Sequence, residues 1–256
     1  KLPTRLKAWR EASYQTPKAE SFNVSKDGDK SIVKVTYRFP QVDAQWEITY
    51  KVFANGIIKV DNRFVAEGTE TPMIPRVGLR MQLSEILNDL TYYGRGPEEN
   101  YRDRRTSQFI GEYSTPIKDL YEPYIRPQEN EHHTDIYWCA LTTKQKAGLL
   151  FIADRTFELN ASNYLLGSLD SGETIDNGAP RTNETNHRHL TDPQPVKQVD
   201  MFIDYRMMGV GGDNSWGAIA HEPYLIRPGV ENTIEYGFSI VPFDKKADYK
   251  NLIYQY

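Results

Sequence analysis

Residues 45–65 read QWEITYKVFANGIIKVDNRFV. Apolar side chains occupy every second position from Trp46 to Val52, which is the pattern of a half-buried strand. Asn55 and Gly56 interrupt this alternation, and it resumes after the glycine. Because Asn and Gly both tolerate a positive φ, the stretch predicts a β-hairpin closed by a type I′ turn.

Strand-like alternation recurs through most of the chain, whereas helical patterns are confined to LKAWREASY at 6–14 and SEILNDL at 84–90. The other predicted strands are SIVKVTYRF at 31–39, RVGLRMQL at 76–83, AGLLFIAD at 147–154, VKQVDMFIDYRM at 196–207 and TIEYGFSIVPF at 233–243. Many antiparallel strands with few helices predict an all-β fold of large antiparallel sheets, a β-sandwich.

Two long polar stretches without alternation separate the predicted strands, at 94–135 and 171–195. Loops of this length are uncommon in compact domains and usually carry function. No linker of Gly, Ser or Pro divides the chain, so residues 1–256 are expected to form one domain.

The composition excludes several classes of partner. The net charge of -4 argues against a nucleic-acid ligand, and the apolar runs are too short to span a bilayer. The single cysteine, Cys139, lies in an apolar stretch and is predicted to be a core residue. Without an initiator Met or an apolar signal segment, the chain is expected to be a fragment or a processed product, and its compartment, cytoplasmic or periplasmic, stays open.

The first long stretch contains candidate pocket or interface residues. Arg95 and Asn100 lie in YYGRGPEENYRDR, where a polar pocket wall competes with pairing that only holds the loop. Glu129 and Asn130 lie in PYIRPQENEHHTD and are candidates for binding sugar hydroxyls. The adjacent histidines of that segment diverge on a strand and lack the spacing of a zinc helix, so no metal site is expected in this chain.

His187 and His189 lie two residues apart in TNHRHL, so on a strand both would face the same side. Histidine is a good acid or base near neutral pH, but it is also a common structural donor. A glycosidase needs two carboxylates across the scissile bond, and 35 acidic residues make any pair chosen from the sequence arbitrary.

The segment GVGGDNSW at 209–216 gathers three glycines, three small polar residues and a tryptophan. The glycines are expected to turn the backbone sharply after the strand, and Asp213, Asn214 and Ser215 to anchor the loop through local turns. Trp216 would then project from a rigid base, either to stack on a sugar ring or to pack in the core.

YGRGPEENYRDR, PYIRPQENEHHTD, NHRHL and MGVGGDNSW, in this order, resemble the C-terminal small-chain domain of β-galactosidases of glycoside hydrolase family 2. The resemblance extends over essentially the whole chain and includes the opening LPTRLKAWREA. It implies a galactose-mutarotase-like β-supersandwich that lacks its first strands and is the last of five domains.

In that family, two catalytic Glu residues on a separate barrel domain hydrolyse terminal β-D-galactosides such as lactose with retention. The resemblance implies that Trp216 contributes a substrate platform, that this chain contains no catalytic residue or cofactor, and that cations belong to the missing domains. The expected partners are a galactoside and the catalytic barrel, and association with further copies is left open. A free-standing carbohydrate-binding module and, less favoured, an aldose mutarotase using Glu129 with His187 or His189 are the alternatives.

Overall fold

The computed structural model describes residues 6–14, 17–66, 73–169, 189–214, 217–228 and 233–255. These residues form eleven antiparallel strands and two short helices, α1 (Lys7–Tyr14) and α2 (Tyr249–Leu252). The predicted all-β fold of large antiparallel sheets is confirmed. The strands are β1 (Ala19–Asp27), β2 (Lys30–Phe39), β3 (Ala44–Val52), β4 (Ile58–Ala66), β5 (Arg76–Leu83), β6 (Asp89–Gly96), β7 (Phe109–Pro116), β8 (His133–Thr142), β9 (Gly148–Ser162), β10 (Val199–Met207) and β11 (Thr233–Phe243).

The hairpin predicted over residues 45–65 is β3 paired with β4, with Val52 opposite Ile58. Its turn is not type I′, because Gly56 has a φ of 87° whereas Asn55 has no positive φ. Gly56 N–H donates to Phe53 O at 3.0 Å, so a β-turn is followed by a left-handed glycine. The hairpin prediction is therefore right and the predicted turn type is wrong.

The sheet forks at β9, the longest strand. Residues 148–153 of β9 pair with β11, whereas residues 158–162 pair with β10. β8 lies along the other edge of β9 over both parts, and β5 adds to the far side of β10. The fork gives the sheet two arms on this side of β9, one formed by β10 and β5 and the other by β11, β4 and β3.

The main core fills the space between the β10–β5 arm and the larger part of the sheet. Ile48, Val60 and Phe238 of the larger part join Met201 and Ile203 of β10 in one buried apolar cluster. Side chains from both parts of the sheet thus face one interior, as in a sandwich of two packed layers. Cys139 belongs to this cluster at 0% exposure, which confirms its prediction as a core residue.

Two local predictions are wrong. The segment SEILNDL forms a turn, in which Leu87 N–H donates to Ser84 O, because it only connects β5 to β6. The stretch 94–135 includes β7, which pairs with β6 along its whole length. β7 is an edge strand with Phe109 and Ile110 exposed, so it lacks the alternation of a half-buried strand. No helix within the described ranges is long and apolar enough to cross a membrane.

Candidate functional site

The segment that leaves β10 is held by its backbone. Five successive N–H groups, those of residues 207–211, each donate to an acceptor outside the segment, and we call this segment the loop base. The acceptors are Glu158 Oε2 for Met207 at 2.6 Å, Pro75 O for Met208 at 2.9 Å, Tyr224 O for Gly209 at 2.8 Å, and Asp103 Oδ1 and Oδ2 for Val210 and Gly211 at 3.2 and 2.7 Å. Hydrogen bonds to carboxylates are stronger than those to backbone carbonyls, so Glu158 and Asp103 contribute most to holding the loop base.

The loop glycines permit close approach rather than a sharp turn. Neither Gly209, Gly211 nor Gly212 has a positive φ, which corrects the expectation that they turn the backbone sharply. A Cβ on Gly209 would lie 2.7 Å from the carboxylate carbon of Asp103, and one on Gly211 would lie 3.0 Å from its Oδ2. A Cβ on Gly212 would lie 2.6 Å from Ala218 O. The carboxylate can approach the backbone because these positions lack side chains.

Glu158 joins the loop base to a buried polar network. Its Oε2 lies 3.0 Å from His132 Nε2, and His132 Nδ1 lies 2.7 Å from Asn160 Oδ1. Burial by itself would lower the pKa of His132, but the hydrogen bond and charge of Glu158 outweigh it and raise this pKa. Beside them, burial raises the pKa of Asp204 to about 6 against the opposing charge of Arg76.

The tip of the loop follows the base directly. The carboxylate of Asp213 lies 2.8 Å from Nε2 of His221, and both side chains are largely exposed. Asn214 is the last described residue of this segment, and Ser215 and Trp216 lie outside the described residues. The substrate contact of Trp216 therefore stays a prediction, and the structure describes the loop base that precedes this residue in the chain.

Two of the candidate polar residues, Asn100 and Arg95, stabilise the loop that follows β6. Asn100 is 0% exposed, donates to Arg95 O and Glu98 O, and accepts from the N–H and hydroxyl of Thr134. These hydrogen bonds give the buried amide of Asn100 a structural role within the chain, and its role in a pocket or interface stays a prediction. Arg95 Nε donates to Asp135 at 2.8 Å, which ties the start of the same loop to β8.

Of the remaining candidates, Glu129 and Asn130 both contact the buried network that includes Glu158. Asn130 is 3% exposed and donates to Gln128 O, and its role in a pocket or interface stays a prediction. Glu129 Oε1 accepts from Asn160 at 3.1 Å and thereby joins the buried network. The backbone N–H of His189 donates to Asp192, and His187 lies outside the described residues.

Sequence reasoning missed the two carboxylates that clamp the loop base. A signal for Glu158 exists in the stretch 157–162, FELNAS, where polar residues alternate with apolar ones on a strand that is paired on both sides. Residues 157–162 are all buried, so both faces of this part of the strand are covered and its alternate polar residues need buried partners. Asp103 has no comparable signal, because its acceptor role arises from a loop 107 residues away in sequence.

Comparison with known proteins identifies the family to which the chain belongs. Residues 3–240 match the family model described as Beta galactosidase small chain. A protein named Beta-galactosidase from Priestia megaterium is 30% identical over 226 residues, and one from Streptococcus thermophilus is 29% identical over 228 residues. Each alignment covers 88% of this chain and 20% of the relative, so the chain spans about a fifth of their length.

Among solved structures, a galactose 1-epimerase from Lactobacillus acidophilus matches with a TM-score of 0.42 and 7% identity, over 88% of this chain and 66% of that one. The matched family model covers nearly all of the chain, including the loop base and the segment that supplies Asp103. The chain belongs to the β-galactosidase small-chain family.

Proposed function

We propose that this chain is the small-chain domain, one domain over residues 1–256, of a longer β-galactosidase. The whole protein hydrolyses terminal non-reducing β-D-galactosides such as lactose, with retention, using two Glu residues on a barrel domain outside this chain. The chain contributes Trp216 to one wall of the substrate pocket. The observation that supports this role is the loop base, where five consecutive N–H groups are fixed just ahead of Trp216.

A loop base that is held in place strengthens the binding of a ligand that stacks on Trp216. An indole offers a large apolar face to the C–H face of a pyranose. Binding is strengthened when the contacting group is ordered beforehand, because less conformational entropy is lost when the ligand arrives. Segments that only connect two elements are usually more mobile than those elements, so a base held by two carboxylates and two carbonyls favours a binding role over simple connection.

The test is Trp216→Ala in the longer enzyme. Loss of the stacking face is expected to raise KM for lactose about tenfold, since one buried aromatic contact contributes about 1.4 kcal/mol or more. Trp216→Phe keeps an aromatic face and should recover part of the affinity. Tyr254→Ala removes an aromatic residue that is 89% exposed elsewhere, and it serves as the control. An unchanged KM in Trp216→Ala would refute the role given to this residue.

The isolated chain provides a second test, because the proposal places both catalytic Glu residues outside it. We expect it to release no nitrophenol from p-nitrophenyl β-D-galactopyranoside. Galactose binding measured by calorimetry on the isolated chain would instead favour a free-standing binding module. Faster interconversion of galactose anomers, followed by polarimetry, would favour a mutarotase.

A further inference from the structure

The strand β1 lies at one edge of the sheet. Among the described residues it pairs with β2 alone, so no described strand lies along its other side. Every residue of β1 except Ser21 is exposed, and Phe22 and Val24 are 64% and 61% exposed. An edge strand with exposed apolar side chains is a template for pairing with another strand.

The two apolar side chains continue the inner face of the larger part of the sheet. Phe22 lies opposite Val35 of β2, and Val24 lies opposite Val33. Val35 in turn lies opposite Ile48 of β3, which belongs to the main core. Because directly opposite residues share a face of the sheet, this apolar face extends past the core and is exposed at β1.

Among the described strands, β5 and β7 also lie at sheet edges, and both have charged residues near their centres. Arg80 of β5 pairs with Asp200 at 2.7 Å, and Glu112 of β7 lies 2.6 Å from Nζ of Lys250 on α2. Charged side chains on an edge strand discourage pairing with another strand, as proline does. Residues 22–24 at the centre of β1 are uncharged, and the strand has no proline, so β1 is the less protected edge.

The sequence of β1 is complementary to itself in the antiparallel direction. It reads AESFNVSKD, with Asn23 in the middle. When β1 lies antiparallel to a copy of itself with the two Asn23 residues opposite each other, Glu20 lies opposite Lys26. In the same arrangement Phe22 lies opposite Val24, and symmetry makes each pair occur twice. Opposite charges and apolar side chains in these positions both stabilise a pair of strands.

We propose that β1 pairs with β1 of a second copy of the chain about a twofold axis at Asn23, which joins the sheets of the two copies. Such an interface uses the same surface on both copies and closes as a dimer. β1 pairs with β2 residue by residue over Ser21–Asp27, so the centre of the proposed pair lies in the regular part of the strand. A shift of two residues in either direction would place a charged residue, Glu20 or Lys26, opposite an apolar one.

Asn23→Cys in the longer enzyme tests the pairing. Cβ atoms of directly opposite residues lie about 5 Å apart, so mild oxidation should link two copies and give a dimer on a non-reducing gel. Ser21 would lie opposite Ser25 of the second copy, about 13 Å along the strand from its own counterpart. Ser21→Cys alone should therefore stay unlinked, whereas an equal mixture of Ser21→Cys and Ser25→Cys should link. Cys139 is buried and does not compete.

Charge reversal tests the register of the pair. In Glu20→Lys, two like-charge pairs replace two opposite-charge pairs, so the rate at which the Asn23→Cys enzyme becomes linked should fall about tenfold at low ionic strength. Lys26→Glu should have the same effect, and the double variant, in which the two charges are exchanged, should recover the rate of the parent. Glu85→Lys, at an exposed turn, changes the net charge equally and is the control.

Three results would overturn the proposal. If Asn23→Cys links no faster than Ser21→Cys, the two copies do not pair at this strand in this register. If the double charge variant links as slowly as the single ones, the opposite charges do not meet across the pair. If a maleimide labels Asn23→Cys far more slowly than Glu85→Cys even in dilute enzyme, where the copies are apart, another part of the same molecule covers β1.

Discussion

The two hydrogen bonds that Asp103 accepts from the loop base lead to a specific prediction about how the loop of Trp216 is positioned. In Asp103→Ala, the N–H groups of Val210 and Gly211 lose acceptors that lie at 3.2 and 2.7 Å. Water replaces part of each bond at this exposed site, so the loss is about 1 kcal/mol per bond and about 2 kcal/mol for both. That free energy corresponds to a factor of about 30 in the equilibrium between the held and the released loop.

We therefore expect Asp103→Ala to raise KM for lactose between about threefold and 30-fold in the longer enzyme. Three N–H bonds of the loop base remain, to Glu158, Pro75 and Tyr224, and they limit the effect. The catalytic groups are untouched, so kcat should change less than KM. Asp103→Asn keeps one acceptor oxygen and should lie between the parent and the alanine variant. Asp29→Ala, at an exposed turn, provides the control.

A double-mutant cycle with Trp216→Ala decides whether Asp103 acts through the loop. If it does, Asp103→Ala should add little once the indole is gone, because the contact that it positions no longer exists. Additive effects on KM would refute the reasoning and give Asp103 a direct or unrelated role. An unchanged KM in Asp103→Ala, together with a raised KM in Trp216→Ala, would refute it as well.

Two further predictions concern buried groups. Burial raises the pKa of Glu131 to about 8, so the folded protein binds a proton that the unfolded chain releases near its usual pKa, and stability is lost as the pH rises from about 4.5 to 8. Glu131→Gln should flatten this loss in urea unfolding measured across that range, and an unchanged pH slope would contradict it. A Cβ on Gly78 would lie 2.8 Å from the Cα of Asp204, so Gly78→Ala should destabilise the β5–β10 pair by about 2 kcal/mol or more. In Gly111→Ala the atoms nearest to the new Cβ belong to the side chain of Tyr113, at 3.0 Å or more, and the smaller change in melting temperature expected for this variant serves as the comparison.

The sequence predicted the parts of the fold that are encoded locally. β5 and β11 have the bounds that their alternation indicated, and the hairpin around Gly56 is correct. β7 was missed because its half-buried positions are Gly111, Tyr113 and Thr115 whereas its apolar Phe109 and Ile110 are exposed, so its sequence lacks apolar alternation. The fork at β9 could not be predicted either, since alternation describes one strand and says nothing of which neighbour it pairs with along its length.

In the candidate site, too, the features that are local in sequence could be predicted and the long-range contacts could not. The glycines and the tryptophan of GVGGDNSW are close in sequence, so the loop was recognisable as a unit before its structure was known. The groups that hold it, Asp103 and Glu158, come from two other segments and contact it only in the folded chain. Asn100 shows the converse, because its polarity in a long loop suggested a pocket, whereas two of its four hydrogen bonds shape the turn after β6 and two fix that turn to β8. The residue that would contact the substrate can therefore be recognised in the sequence. The rigidity of its loop, which would strengthen that contact, arises from long-range contacts in the folded chain.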